Sequence, residues 1–188
     1  MRMFVALVPP AHAVEHLDAF LEPRRAAAAF RWAGVEQLHV TLAFLAEVEE
    51  RRLDDLLERL ERAAARRRTF ATAIAGGGAF PNVGRARVLW AGLDLDEGGR
   101  TELDRLATGC RAAANRAGVP ADGQRFRPHV TLARVGQPTE VTSWVRLLDG
   151  YAGPAWQADR VELVASYLGE GPRGRPRYET VAELPLGR

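Results

Sequence analysis

The sequence predicts an α+β fold built on mostly antiparallel sheet. Three observations carry this. Apolar residues alternate along several short runs, while others recur at helical spacing between those runs. Strands and helices do not take turns with the regularity that parallel sheets require. The second half of the chain repeats the order of elements in the first. With 188 residues, 47% of them hydrophobic, the chain can bury a sizeable core as one domain or two closely packed lobes.

The elements follow in order. Phe4, Ala6 and Val8 alternate until Pro9-Pro10, a first strand running into a helix start. Val14, Leu17 and Leu21 then sit at helical spacing up to Pro23. Residues 37–47 read as a strand, and 49–68 as the clearest helix. Its Leu53, Leu56, Leu57 and Leu60 form an apolar stripe, with acids in the first turn and Arg66-Arg67-Arg68 in the last, as the helix dipole prefers. Residues 69–79 and 86–95 read as strands around a turn at Pro81-Asn82-Val83-Gly84. A helix over 102–117 ends at Gly118 and Pro120. A strand over 126–135, a short helix over 140–148 and strands over 160–168 and 178–184 complete the chain.

Composition narrows the function classes. The single cysteine, Cys110, allows neither an intramolecular disulfide nor a thiolate cluster, and its phase with Leu103, Leu106 and Ala107 makes it a core residue. No apolar run approaches the roughly 20 residues of a membrane span. The opening apolar run is too short for a secretory signal, so a cytoplasmic location is expected. All 26 basic residues are arginine, a pattern a GC-rich coding bias produces. Guanidinium forks nonetheless suit bidentate phosphate contacts. A net charge of +2 gives no large field for wrapping duplex DNA and fits a small or single-stranded phosphate ligand better.

Two glycine patterns are set aside. Gly169-Glu170-Gly171-Pro172-Arg173-Gly174 has dinucleotide-binding spacing, but Pro172 lacks an N–H and a strand rather than a helix follows, so a hairpin loop is expected. Gly76-Gly77-Gly78 reads as a bulge or turn. His12 and His16 lie four apart on the first helix without a third ligand in sight, and are expected to be solvated.

The chemistry is carried by an internal repeat. His39-Val40-Thr41-Leu42-Ala43 returns ninety positions later as His129-Val130-Thr131-Leu132-Ala133. Chance would match the three residues after a given histidine on the order of once in a thousand trials. On a strand, His39 and Thr41 share one face while Val40 and Leu42 share the other, and likewise in the second copy. Two strands meeting in space would bring together two imidazoles and two hydroxyls with no carboxylate between them. Imidazole titrates nearest neutrality, so one ring can donate a proton while the other accepts. The hydroxyls suit phosphate oxygens.

At these residues the sequence resembles the two-histidine phosphoesterase superfamily, and within it the bacterial and archaeal RNA 2′,3′-cyclic phosphodiesterases, once called 2′-5′ RNA ligases. The likeness takes in Arg2-Met3-Phe4-Val5-Ala6, Leu38 to Leu45, Arg87-Val88-Leu89-Trp90-Ala91-Gly92, Phe126 to Arg134 and Arg177-Tyr178-Glu179. It implies a bilobal, pseudo-twofold arrangement over residues 1–188, with an antiparallel sheet in each lobe, flanking helices, and a cleft lined by motifs 39–42 and 129–132. It implies hydrolysis of a terminal 2′,3′-cyclic phosphate to a 2′-phosphate, without a metal or a cofactor. By that likeness His39 is the proton donor, His129 the proton acceptor, and Thr41 and Thr131 hold the phosphate. The near-identity of the motifs leaves the direction of proton flow open.

Arg134 closes the second motif where relatives often carry a basic residue, so a phosphate contact is implied. Strict alternation, however, puts it on the face opposite His129 unless the strand twists or ends there. Phe44, its equivalent in the first motif, is either core or a base-stacking ring. RNA 3′ ends or small cyclic nucleotides are the implied ligands, with a monomer and no membrane partner expected. Two alternatives use the same residues: 2′-5′ ligation, which needs identical acid–base groups, and a non-catalytic RNA-end-binding module.

Overall fold

The structure is a computed structural model describing residues 1–187; Arg188, last of the expected 1–188 span, lies outside them. Along the chain come β1 (Met3–Leu7), α1 (Ala11–Arg25), β2 (Arg31–Trp32), β3 (Val40–Leu45), α2 (Leu53–Ala65), β4 (Phe70–Phe80), β5 (Ala86–Asp94), α3 (Glu97–Arg116), β6 (Val130–Thr139), α4 (Thr142–Asp149), β7 (Trp156–Ala158), β8 (Arg160–Tyr167) and β9 (Arg177–Pro185). All strand pairs named below are antiparallel, so the α+β expectation holds. The strands run in the order β7-β4-β5-β6-β3-β1-β8-β9, with β2 also paired to β6. Each half of that path has its own repeat strand innermost, β6 in one and β3 in the other.

The two inner strands meet through one residue pair, Val40 with Val130. Both valines are fully buried. On either side of this pair the strands part, and that parting opens the cleft. β1 lies beside β3 and is buried on both faces. Met3, Val5 and Leu7 enter the main core with Leu56, Leu60, Leu103 and Leu106 of α2 and α3. Phe4 and Ala6 join a second, smaller cluster with Val164, against which Phe44 and Tyr178 pack. Helices α2 and α3 therefore cover one face of the sheet, and the second cluster lies on the other. Each large side chain buried in this way is worth roughly 1.5–3 kcal/mol.

Several boundaries depart from the sequence reading for local reasons. α1 carries Pro23 within its last turn and ends at Arg25. α3 starts at Glu97 because the Asp96 carboxylate accepts the Gly99 N–H at 2.6 Å, a cap that outweighs the poor helix propensity of Gly98 and Gly99. The Gly76 region is a bulge: the β4–β5 register shifts between Ile74 and Gly77, with Gly76 at φ +70°. The glycines at 169–174 lie in the connection between β8 and β9, as a hairpin loop rather than a helix start. Cys110 is buried, and burial pushes its thiol up to about 12. His12 and His16 are exposed, and His16 Nδ1 meets the Tyr151 hydroxyl at 2.9 Å. No helix among the described residues is long and apolar enough to cross a membrane.

Candidate active site

The repeat becomes a site because of where its two strands begin. The histidines stand one residue before β3 and β6 rather than inside them. The reason is local: each ring turns its Nδ1 onto the backbone carbonyl two residues earlier. His39 Nδ1 meets the Gln37 carbonyl at 2.7 Å, and His129 Nδ1 meets the Arg127 carbonyl at 2.6 Å. A carbonyl accepts only, so Nδ1 carries the hydrogen in both rings, and each Nε2 of a neutral ring is left as an acceptor. Extending the Val40–Val130 register by one residue sets His39 across from Thr131, and Thr41 across from His129. The four expected groups line one cleft of about 740 Å³.

Arg134 and Phe44 line that cleft as well, against strict alternation. A β-bulge in each strand is responsible. The β1–β3 register passes from Val5–Ala43 to Ala6–Thr41 and skips Leu42. The β5–β6 register passes from Leu89–Ala133 to Trp90–Thr131 and skips Leu132. The extra residue shifts the phase by one, which returns Phe44 and Arg134 to the faces of Thr41 and Thr131. Both bulged carbonyls find donors: Ala33 N–H at 2.8 Å for Leu132, and Arg111 Nε at 3.2 Å for Leu42. Phe44 lies under the Arg2 guanidinium, 4.5 Å from its ring centre, and is only partly buried.

Sequence reasoning missed much of the cleft wall. Arg31 enters through the two-residue strand β2, whose register sets it beside Arg134. Arg2, Arg173 and Arg175 bring the cleft arginines to five among the described residues, which place no carboxylate in its lining. Each histidine also rests on an aromatic pair. His39 stacks on Phe4 (4.5 Å, 21°) and meets the edge of Tyr178 (5.6 Å). His129 lies edge-on to Phe80 (4.9 Å) and 5.9 Å from Trp90. These rings come from β1, β9, β4 and β5, so only the strand order brings them to the repeat.

This surrounding sets the electrostatics. Burial, with smaller effects of His129 and Arg134, pushes His39 from 6.5 down to about 4, although its bond to Gln37 opposes the shift. Burial and Arg134 also lower His129, against the bond to Arg127. Both rings are neutral at pH 7 in the free cleft. His39 Nε2 accepts from the Thr41 hydroxyl at 2.9 Å, whereas among the described residues only the Arg127 carbonyl bonds the His129 ring, at Nδ1. A cationic wall beside two imidazoles whose surroundings favour the neutral form suits an anion, whose charge would oppose that lowering.

Comparison with known proteins gives the family of the chain. The family model described as LigT like Phosphoesterase matches residues 7–90 and 93–173. An RNA 2′,3′-cyclic phosphodiesterase of Aeropyrum pernix is 37% identical over 153 residues, 79% of this chain and 82% of the relative. Among solved structures, TT0787 of Thermus thermophilus superposes with a TM-score of 0.79 at 31% identity, covering 100% of both chains. Escherichia coli LigT complexed with 3′-AMP gives 0.78 at 27% identity, covering 100% of this chain and 98% of the other. The chain belongs to the LigT-like phosphoesterase family.

Proposed function

We propose that this protein hydrolyses the 2′,3′-cyclic phosphate at an RNA 3′ end to a 2′-phosphomonoester, using His39 and His129 without a metal. The observation that carries the reading is the matched pair of Nδ1-anchored imidazoles in a cleft walled by arginines, with no carboxylate among its described lining residues. Residues 1–188 act as one catalytic domain of two intertwined lobes, each giving one His-x-Thr-x motif. Relatives named RNA 2′,3′-cyclic phosphodiesterase support the substrate class.

The cyclic phosphate enters as a monoanion against Arg134, Thr41 and Thr131. Its charge offsets the desolvation that keeps His39 neutral, so His39 binds a proton and Thr41 turns its hydroxyl from Nε2 to a phosphate oxygen. His129, whose Nε2 is unengaged, takes a proton from water as the water oxygen bonds to phosphorus. The bond from phosphorus to O3′ breaks, and His39 Nε2 gives its proton to O3′. The products are a 2′-phosphate, a 3′-hydroxyl and a proton left on His129, which solvent removes. Each proton transfer is worth about a hundred- to ten-thousand-fold in rate.

An oligoribonucleotide ending in a 2′,3′-cyclic phosphate, incubated with the protein with and without EDTA, tests this. Phosphorus NMR is expected to find a 2′-phosphomonoester at equal rates in both. No turnover, a 3′-phosphate product, or loss of turnover with EDTA overturns the reading.

A further inference from the structure

A second groove, of about 500 Å³, lies between α2 and α3 on the face of the sheet away from the cleft, and the two share no lining residue. Its walls carry six arginines, Arg59, Arg62, Arg66, Arg67, Arg105 and Arg116, against one carboxylate, Asp104. Arg59 pairs with Asp55 at 2.9 Å, and Arg62 with Glu58 more loosely at 3.4 Å. Arg67 stands 3.9 Å from Glu102. Arg66, Arg105 and Arg116 are exposed and make no ion pair among the described residues.

The floor is made of small residues, Ala63, Gly109, Ala112 and Ala113, so the groove between the arginines stays open. The helices run antiparallel: Ala63 in the last turn of α2 faces Gly109 in the second half of α3, and Arg67, two residues past α2, approaches Glu102 nearer the start of α3. Arg66, Arg67 and Arg105 therefore stand at one end, and Arg59 and Arg116 at the other. Eleven residues separate Arg105 from Arg116, about 16 Å of helix at 1.5 Å per residue. That is too long for one phosphate group and suits a row of them. Like charges held this way repel one another unless a polyanion covers them.

We infer that the α2–α3 groove is a second RNA site, which holds the phosphodiester backbone of a single-stranded RNA away from its 3′ end. The inference rests on the reading of the cleft as the site for that end. Guanidinium forks match phosphate oxygens bidentately. No aromatic residue lines the groove, so binding follows backbone charge without base preference. An acidic protein surface fits less well, because the floor offers no large apolar side chain to anchor one.

The test uses the full chain and a 30-nucleotide single-stranded RNA ending in a 3′-hydroxyl, so that it needs no turnover. Fluorescence anisotropy against salt compares the parent with Arg66→Gln/Arg105→Gln/Arg116→Gln. Loss of three phosphate contacts is expected to lower the slope of log K against log salt by about 2, and to weaken binding at low salt at least tenfold. Hydrolysis of a 2′,3′-cyclic mononucleotide and the thermal melt are expected to be unchanged. Equal RNA affinity and equal slope in parent and variant overturn the inference. So does unchanged RNA binding with loss of binding to poly-glutamate, which assigns the groove to an acidic protein. A parent that binds the RNA through these arginines but hydrolyses no cyclic phosphate keeps the groove and overturns the reading of the cleft. Should the triple variant melt early, the single variants Arg66→Gln and Arg105→Gln are each expected to lower the slope by about 0.7.

Discussion

Acidification probes His39 directly, because its folded and unfolded forms bind protons at different pH. In the unfolded chain the imidazole titrates at its ordinary 6.5, and in the folded cleft burial holds it at about 4. As pH falls from 6.5 toward 4 the unfolded state takes up a proton that the folded state refuses. Stability contributed by the neutral ring is thus fully present above 6.5 and lost progressively down to about 4. The gap of about 2.5 pH units, at 1.36 kcal/mol per unit, amounts to about 3 kcal/mol. His39→Asn removes the titration while keeping an N–H donor that can reach the Gln37 carbonyl. Urea unfolding of both proteins at intervals from pH 7 to pH 4 gives the difference, and the lowered His129 is common to both. The parent is expected to lose about 3 kcal/mol more than the variant over that range. Parallel curves, or an NMR titration of His39 at 6.5 or above, refute the desolvated-imidazole reasoning.

Other expectations follow from the same geometry. Arg134→Ala removes a charged phosphate contact worth roughly 1.5–3 kcal/mol, so kcat/KM on a cyclic-phosphate substrate should fall about 10- to 100-fold, with Arg134→Lys recovering part of it. Gly78→Ala places a methyl group inside the Trp90 ring, which also packs against Phe80 and His129. Steady-state kinetics should show a fall in kcat larger than any rise in KM, alongside about 1–3 kcal/mol of lost stability. Because bound phosphate raises His39, the basic limb of kcat should lie at higher pH than the basic limb of kcat/KM in a pH–rate series.

The repeat and the class of fold were legible because both depend on local pattern. Val40, Leu42, Val130 and Leu132 are buried as alternation demands, and His39 and His129 meet because their motifs sit at the same place on two inner strands. Arg134 and Phe44 were not legible in the same way. A bulge leaves no composition signal at Leu42 or Leu132, and only the register with β5 and β1 reveals the one-residue change of phase. β2 and β7, two and three residues long, are too short for any periodicity, which hid Arg31. Phe4, Phe80, Trp90 and Tyr178 reach the histidines through long-range strand order, which no window of sequence contains.

The central claim is that two imidazoles, one giving and one taking a proton, perform the reaction. Single-turnover cleavage of a 2′,3′-cyclic phosphate by His39→Ala and by His129→Ala, each checked for an intact fold by its melt, tests it most directly. Each substitution is expected to slow the step by about a hundred- to ten-thousand-fold. A folded variant of either kind turning over at the parent rate contradicts the claim.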